Sequence, residues 1–275
     1  MNSINTNVGA MIALRNLNAI NAELIATQNR ISTGYKVASA KDNGAVWAMA
    51  QTQRAEVRGL DAVKESLSRN SSVVDVALTA GESVSDLLIE LKEKVLAASD
   101  TSLSTSSRNA LKSDFDAIKT QITRTLQNAS FNGINLLDGS KSAIYALANA
   151  RGSDSLTVAA QNLSFGGSII TFSAAATFTS ATAASNLLSG LNTSIDNVSA
   201  ALSRLGTSSQ SLDRHATFID KIQDTMIASI GRMVDADLAK ESAKFQALQV
   251  KRQLAIQAMA IANQAPSYLL KLFGR

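Results

Sequence analysis

Apolar residues recur at alternating four- and three-residue spacings along several long stretches of the chain, and no feature constrains the fold more. This spacing places one residue in three or four on a single helix face that packs against other helices. The first inner series contains Met49, Gln53, Glu56, Leu60, Val63, Leu67, Asn70, Val74, Ala77, Gly81, Val84, Leu88, Leu91 and Val95. A helix of that extent would be on the order of 70 Å long, which favours extended helical packing over a compact globule.

A second inner series of similar length lies towards the other end of the chain. It contains Leu188, Leu191, Ile195, Val198, Leu202, Leu205, Ser209, Leu212, Ala216, Ile219, Gln223, Met226, Ile230 and Met233. We expect the two series to pack against each other as the core of an antiparallel helical layer. The low aromatic content of 4% and the single proline suit such close helix packing.

The two chain ends carry apolar series of their own. The N-terminal series is Ala10, Leu14, Leu17, Asn21, Leu24, Gln28 and Ile31, and the C-terminal series is Ala247, Val250, Leu254, Gln257, Ile261, Gln264 and Tyr268. A single helix of about 30 residues cannot bury such a stripe alone, and most helical stability comes from packing it. We therefore expect the terminal helices to pair with each other and to bury their remaining apolar flanks against other copies.

The middle of the chain has a different pattern. The Ser- and Thr-rich residues 100–107 predict a turn, and residues 111–122 predict a shorter helix that returns antiparallel. A period near two and frequent glycines predict a β-hairpin region at about 141–178, with a two-residue turn at Gly166 and Gly167. The predicted fold class is mainly α, with long antiparallel coiled-coil-like helices, a small β-hairpin region, and terminal helices paired in a discontinuous inner domain.

The charge distribution bears on possible partners. Residues 1–42 and 233–275 together carry ten Lys and Arg against five Asp and Glu, although the net charge of the whole chain is only +4. These cations are scattered along helical patterns without stacking aromatics, which disfavours nucleic-acid binding. No apolar run approaches the roughly 20 residues of a membrane span, and the residues after Met1 lack the pattern of a secretory leader. We expect no nucleic-acid partner and no membrane insertion.

Catalytic chemistry is hard to place on this sequence. His215 is the only histidine, there is no cysteine, and neither a nucleophile elbow nor a phosphate-binding glycine loop is present. Asp235 and Asp237 stand at a predicted helix start, where acids serve as caps far more often than as metal ligands. We predict a protein that is not an enzyme, with no catalytic, cofactor-binding or metal-binding residues.

Three blocks of the sequence resemble the bacterial flagellin family. They are RISTGYKVASAKDNGA at 30–45, ASFNGINLLDG at 129–139, and the C-terminal stretch from DADLAKESAKF to ANQAPSYLLKLFGR. The resemblance implies a minimal form of the family, with an inner domain formed by residues 1–42 and 233–275, an outer helical domain formed by 43–232, and no large outer domains beyond these. It also implies a spoke at about 32–45 that connects the two, where Gly34 and Gly44 would allow the chain to change direction.

The resemblance further implies a self-assembling filament subunit that is exported from the cell and forms the bacterial flagellum. Its partners would be many copies of itself, an export chaperone, hook-associated junction proteins and a filament cap. The implied packing residues are Leu14, Leu17, Asn21, Leu24, Gln28, Ile31, Phe245, Val250, Leu254, Ile261, Leu269 and Leu272. The implied spoke residues are Gly34, Lys41, Asp42, Asn43 and Gly44.

Two alternatives remain open at this stage. One is a hook–filament junction protein, which shares the terminal helices but assembles in small number. The other is an unrelated helix bundle that binds membrane surfaces or nucleic acid, for which salt-sensitive binding would be diagnostic.

Overall fold

The protein is mainly α-helical and contains two short β-hairpins. The computed structural model describes residues 6–273, with side chains for residues 6–264. The elements in chain order are α1 (Val8–Thr33), α2 (Gly44–Ala98), α3 (Thr105–Asn128), β1 (Ser130–Phe131), β2 (Ile134–Asn135), β3 (Ala143–Leu147), β4 (Ser155–Ala159), α4 (Ala181–Val234) and α5 (Leu238–Phe273). The predicted fold class is confirmed.

The chain forms two compact units. The first combines Met1–Ala55 with Thr225–Arg275, and the second comprises Glu56–Asp224. In the first unit α1 pairs with α5. The start of α1 lies beside the late part of α5, since Asn7 hydrogen-bonds Ala262, and the end of α1 lies beside the start of α5, since Arg30 contacts Glu241. The two terminal helices are therefore antiparallel neighbours.

The second unit has its core along α2, α3 and α4. From Leu60 to Val95, every member of the predicted α2 series is buried or half-buried, whereas Met49 and Glu56 are exposed. Every member of the predicted α4 series is buried or half-buried. The shorter helix predicted at 111–122 is part of α3, which buries Phe115, Ile118 and Ile122. The two inner series thus form a helical core, as predicted from their spacing.

Gly81 has a packing role in the middle of α2. A Cβ atom at this position would overlap the side chain of Leu202 on α4. Glycine weakens a helix interior by about 0.5–1 kcal/mol relative to alanine, and the missing side chain here leaves room for Leu202 to pack against α2.

One β-hairpin, β3–β4, lies within the predicted region of about 141–178, whereas the other, β1–β2, precedes that region and was not predicted. β3 and β4 pair antiparallel with Ile144 opposite Val158, and β1 pairs with β2. The hairpin predicted around Gly166 and Gly167 is wrong, because the flanking residues form no strands.

The turn at Gly166 nevertheless exists, with a φ of 73°. The segment after it hydrogen-bonds to α4 instead of to a partner strand. Thr171 N donates to Ser194 Oγ at 3.0 Å, and Asn197 Nδ2 donates to the carbonyl oxygen of Ile169 at 3.2 Å. Side chains of α4 thus satisfy backbone groups that a hairpin would otherwise satisfy.

Candidate functional site

The interface between α1 and α5 contains mainly aliphatic side chains together with one aromatic ring. Thr27 and Leu248 are buried, while Leu17, Leu24 and Phe245 are half-buried. The spacing of the α1 residues places them on one helix face. The pair therefore has a narrow interface of its own, which covers only part of each helix.

Polar contacts fix the two ends of this pair. Asn7 caps α1 by accepting a hydrogen bond from Ala10 N at 3.0 Å through Oδ1, and its Nδ2 donates to the carbonyl oxygen of Ala262 at 2.7 Å. At the opposite end, Arg30 Nη1 lies 3.3 Å from Glu241 Oε1. The cap and the ion pair set the register of α1 along α5.

The outer faces of the same two helices expose many large apolar side chains. Each of these is between 45% and 69% exposed: Val8, Met11, Ile12, Leu14, Ile25, Leu238, Val250, Leu254, Ile256 and Ile261. Single exposed apolar residues are common on protein surfaces, whereas large amounts of exposed apolar surface mark interaction sites. This set, here called the apolar outer face, is the candidate functional site.

The predicted packing residues fall into three groups. Half-buried positions are Leu17, Asn21, Leu24, Ile31 and Phe245. Exposed positions are Leu14, Gln28, Val250, Leu254 and Ile261. Leu269 and Leu272 lie in the helical backbone of α5, but their side chains are outside the described residues.

The intramolecular interface also uses residues that the heptad pattern did not select. Thr27 is buried at the place where the pattern selected Gln28, and Leu248 is buried where it selected Ala247 and Val250. Val8, Met11 and Ile12 of the apolar outer face were missed as well. Their clustering in the first turns of α1 was the available signal.

The connection after α1 is held by a short backbone pairing. Gly34 ends α1 in the left-handed conformation, with a φ of 75°, and its N–H donates to the carbonyl oxygen of Arg30. The next residues pair with the segment between α4 and α5. Lys36 N donates to Val234 O, and Ala236 N donates to Gly34 O, both at 2.8 Å. The αL conformation is the physical reason for glycine at this position.

Asp42 closes the turn that follows. Its Oδ2 accepts hydrogen bonds from Ser39 N at 2.9 Å, from Ala38 N at 3.1 Å and from Ser39 Oγ at 3.1 Å. These bonds, first that from the Ser39 amide and then that from its hydroxyl, lower the pKa of Asp42 below the ordinary aspartate value. The carboxylate thereby stabilises a loop that contains no regular structure.

The remaining predicted spoke residues have distinct environments. Asn43 begins α2 as an N-cap, since its Oδ1 accepts from Val46 N at 3.1 Å. Gly44 is the first residue of α2 and has no positive φ, so the change of direction depends on Gly34 instead. Lys41 is exposed.

Residues considered for chemistry have structural contacts. His215 Nε2 lies 2.9 Å from the carbonyl oxygen of Ala148, next to the β3–β4 turn. Asp237 caps α5 by accepting from Ala239 N and Lys240 N, each at 3.1 Å, as predicted. Among residues 6–264, whose side chains are described, no group of three or more potential metal ligands comes together. Among these same residues, no helix has the length and apolar character needed to cross a membrane.

Comparison with known proteins decides the family. Residues 4–142 match the profile of the bacterial flagellin N-terminal helical region, and residues 188–273 match that of the C-terminal helical region. The chain belongs to the bacterial flagellin family. It is 53% identical over 273 residues to flagellins FljM and FljK of Caulobacter vibrioides, with 99% of each chain covered. A flagellin of Brucella melitensis is 32% identical over 282 residues, again with 99% of both chains covered.

This flagellin is therefore a structural subunit of the flagellar filament, exported to the bacterial flagellum. The matches cover nearly the full length of these relatives, which agrees with the predicted minimal form without large outer domains. None of these matches favours the hook–filament junction alternative. The alternative of an unrelated helix bundle is overturned by the family match.

Proposed function

We propose that the apolar outer face of α1 and α5 is the surface through which flagellin subunits bury one another in the filament core. The supporting observation is that ten large apolar side chains of these two helices are about half exposed in the single chain. Contacts between different patches on successive copies do not close, so they generate a helical filament. The half-buried interface between α1 and α5 then orients the patches.

The apolar outer face buries enough surface to offset a cost of association in the usual range. Complete burial of a large aliphatic side chain contributes about 1.5–3 kcal/mol, so removing the exposed half of each contributes about 1 kcal/mol. Ten such side chains contribute on the order of 10 kcal/mol per copy, which is comparable with the roughly 4–15 kcal/mol cost of association. Assembly is thus favourable only when most of the patch is buried.

This assignment gives the two parts of the chain different structural roles in the filament. Residues 1–42 and 233–275 form the inner, filament-core domain, and residues 43–232 form the surrounding domain. The stretch 32–45 is the spoke between them. Its backbone pairing with residues 234–236 and the Asp42 turn supply defined geometry at the place where the chain leaves the core.

We also propose that this subunit binds further partners and that it has no catalytic activity. An export chaperone, hook-associated junction proteins and a filament cap bind this subunit before or at assembly, and we assign the chaperone to the C-terminal helix. The chain acts as a structural subunit without an enzymatic role. In support, the Nε2 atom of its only histidine lies 2.9 Å from a backbone carbonyl oxygen, which is a structural contact.

The test is a charge placed within the apolar outer face. Leu254→Asp introduces a carboxylate at a position that is 58% exposed in the single chain, so the fold of the subunit is preserved. Seeded polymerisation followed by sedimentation should fall at least about tenfold, because a buried unpaired charge costs several kcal/mol.

The matched control is Gln253→Asp, which adds the same charge at the adjacent exposed position on α5. We expect this variant to polymerise within about twofold of the parent chain, since surface substitutions rarely change free energies by more than about 0.5 kcal/mol. Normal filaments from Leu254→Asp, or equal loss in both variants, would contradict the proposal.

A further inference from the structure

The outer edge of β3 is open in the second unit. In an antiparallel pair, residues alternate between those whose N–H and C=O groups face the partner strand and those whose groups face away. Ala160 N donates to Ser142 O at 2.9 Å, and Ala148 N donates to Asp154 O at 3.0 Å, so even-numbered residues of β3 face β4. The backbone groups of Ala143 and Tyr145 therefore point away from β4.

An independent contact supports this orientation. The N–H of Leu147 donates to Ser66 Oγ of α2 at 3.1 Å, on the side opposite β4. That contact covers the end of the edge, whereas no hydrogen bond to the outward backbone groups of Ala143 and Tyr145 occurs among the described residues. Two donors and two acceptors are thus left at an uncovered strand edge.

This edge forms one wall of a groove. Residues of α2 and of the β1–β2 hairpin also line this groove, which is partly open to solvent and has a volume of about 410 Å³. Volumes of about 300–1,000 Å³ are typical of ligand sites. The turn at Asn132, whose φ is 50°, presents Phe131 to the groove, and both Phe131 and Tyr145 are exposed, at 39% and 65%.

The charges of the groove have one sign. Arg69 of α2 and Lys141 before β3 line it, and the described lining includes no acidic residue. The nearest ion-pair partner is Glu65, whose Oε2 lies 3.7 Å from Arg69 Nη1 in a pair that is mostly exposed. Such an exposed pair contributes little, so the guanidinium remains available to another carboxylate.

We propose that this groove binds an extended acidic peptide segment of a partner protein by strand addition to β3. The main chain of the segment pairs with the outward groups of Ala143 and Tyr145, as in other cases of β-augmentation. Acidic side chains at alternate positions approach Arg69 and Lys141, and the apolar side chains between them contact Phe131 and Tyr145. This surface lies in the second unit and is independent of how the terminal helices assemble.

The test uses the full chain as a soluble monomer and an acetylated, amidated peptide of alternating Glu and Val. Amide NMR should show saturable shifts at Ala143 and Tyr145. With peptide at about ten times its Kd, hydrogen exchange of these two amides should slow by about tenfold. Absence of slowing at a saturating peptide concentration would overturn the proposal.

Two further arms separate strand addition from general electrostatic attraction. Arg69→Gln with Lys141→Gln should weaken binding by about tenfold, whereas Arg124→Gln with Arg151→Gln, which removes two exposed cations elsewhere in this unit, should change it by less than about twofold. Equal weakening in both double variants would overturn the proposal. Circular dichroism checks that all variants remain folded.

N-methylation of the peptide tests the backbone pairing itself. Two peptides of identical charge, methylated on opposite alternating sets of amides, should differ, because only one set faces β3. Equal binding of the two methylated peptides, or binding of oligogalacturonate in place of the peptide, would overturn strand addition.

Discussion

Asp42 shows how a single exposed side chain can define a connection between helices. Residues 38–41 form no helix or strand, and the carboxylate accepts three hydrogen bonds from Ala38 and Ser39. Gly34 contributes differently, through a φ of 75° that other residues rarely adopt. Asp42 therefore supplies hydrogen-bond acceptors, and Gly34 supplies the left-handed backbone conformation.

The pKa of Asp42 gives this turn a predictable pH dependence. Its folded-state pKa lies below the ordinary value of 3.8. A carboxyl group with a depressed pKa stabilises the fold above its unfolded pKa, and that contribution is lost as the pH falls through the folded pKa. The amide proton shift of Ser39, followed by NMR in the monomer, should titrate with a midpoint below 3.8, and Asp42→Asn should abolish the titration. A midpoint at or above the ordinary value would contradict this assignment.

The spoke was only partly predictable at the residue scale. The sequence identified Gly34 as a position where the chain turns, and the structure shows the left-handed conformation there. It also suggested Gly44, which instead starts a regular helix. The composition of this stretch indicates an interruption between helices. The pairing of Lys36 with Val234 joins residues about 200 positions apart, so a local sequence pattern cannot predict it.

At the scale of elements, the anchoring of the loop before α4 depends on one face of α3. The ring of Phe115 is fully buried and packs edge-on against Phe178 with centroids 5.4 Å apart. Lys119 Nζ lies 4.9 Å from the centre of the Phe115 ring and donates to the carbonyl oxygens of Ala174 and Ala176. Together these contacts attach an otherwise irregular segment to the helical core.

Phe115→Ala should therefore be strongly destabilising. Truncation of a buried Phe costs about 3–5 kcal/mol, because both transfer energy and packing are lost. Urea unfolding of the monomer, followed by circular dichroism, measures the free energy of unfolding. Phe218→Ala is the control, as Phe218 is 53% exposed, and it should cost less than about 1 kcal/mol. Similar losses in the two variants would show that Phe115 is not part of the core.

The spacing of apolar residues predicted the buried face better for α4 than for α5, and the reason is physical. In α4 the apolar residues form one stripe, and from Leu188 to Met233 all of its predicted positions are buried or half-buried. In α5 apolar residues occur on more than one face. Phe245 and Leu248 face α1, while Val250 and Leu254 are exposed. Spacing alone cannot decide which of two apolar faces a partner helix covers.

At the scale of the whole molecule, the two units differ in how much of their apolar surface they bury within themselves. The second unit buries a continuous series along α2 from Leu60 to Val95, and the pair formed by α1 and α5 leaves the apolar outer face exposed. The proposed assembly would therefore bury apolar surface that the first unit leaves exposed in the single chain.

Truncation of either terminal helix tests whether assembly needs the first unit while the second unit folds without it. Deletion of residues 1–30 or of residues 245–275 should abolish sedimentable polymer, because the first removes five and the second removes four of the ten residues of the apolar outer face. Circular dichroism of the shortened chains should retain the helical signal of residues 56–224, whose core does not use the deleted segments. A truncated chain that still forms filaments would place the assembly surface elsewhere.

The absence of cysteine from the chain permits the most direct measurement of burial between copies. Leu254→Cys keeps a small apolar side chain on the outer face, and Thr101→Cys places a matched thiol at an exposed position of the second unit. In the monomer both thiols should react readily with a maleimide. In the assembled filament the thiol at position 254 should react at least about tenfold more slowly, since access controls thiol reactivity. Equal reactivity of that thiol in monomer and filament would contradict burial of α5 between subunits.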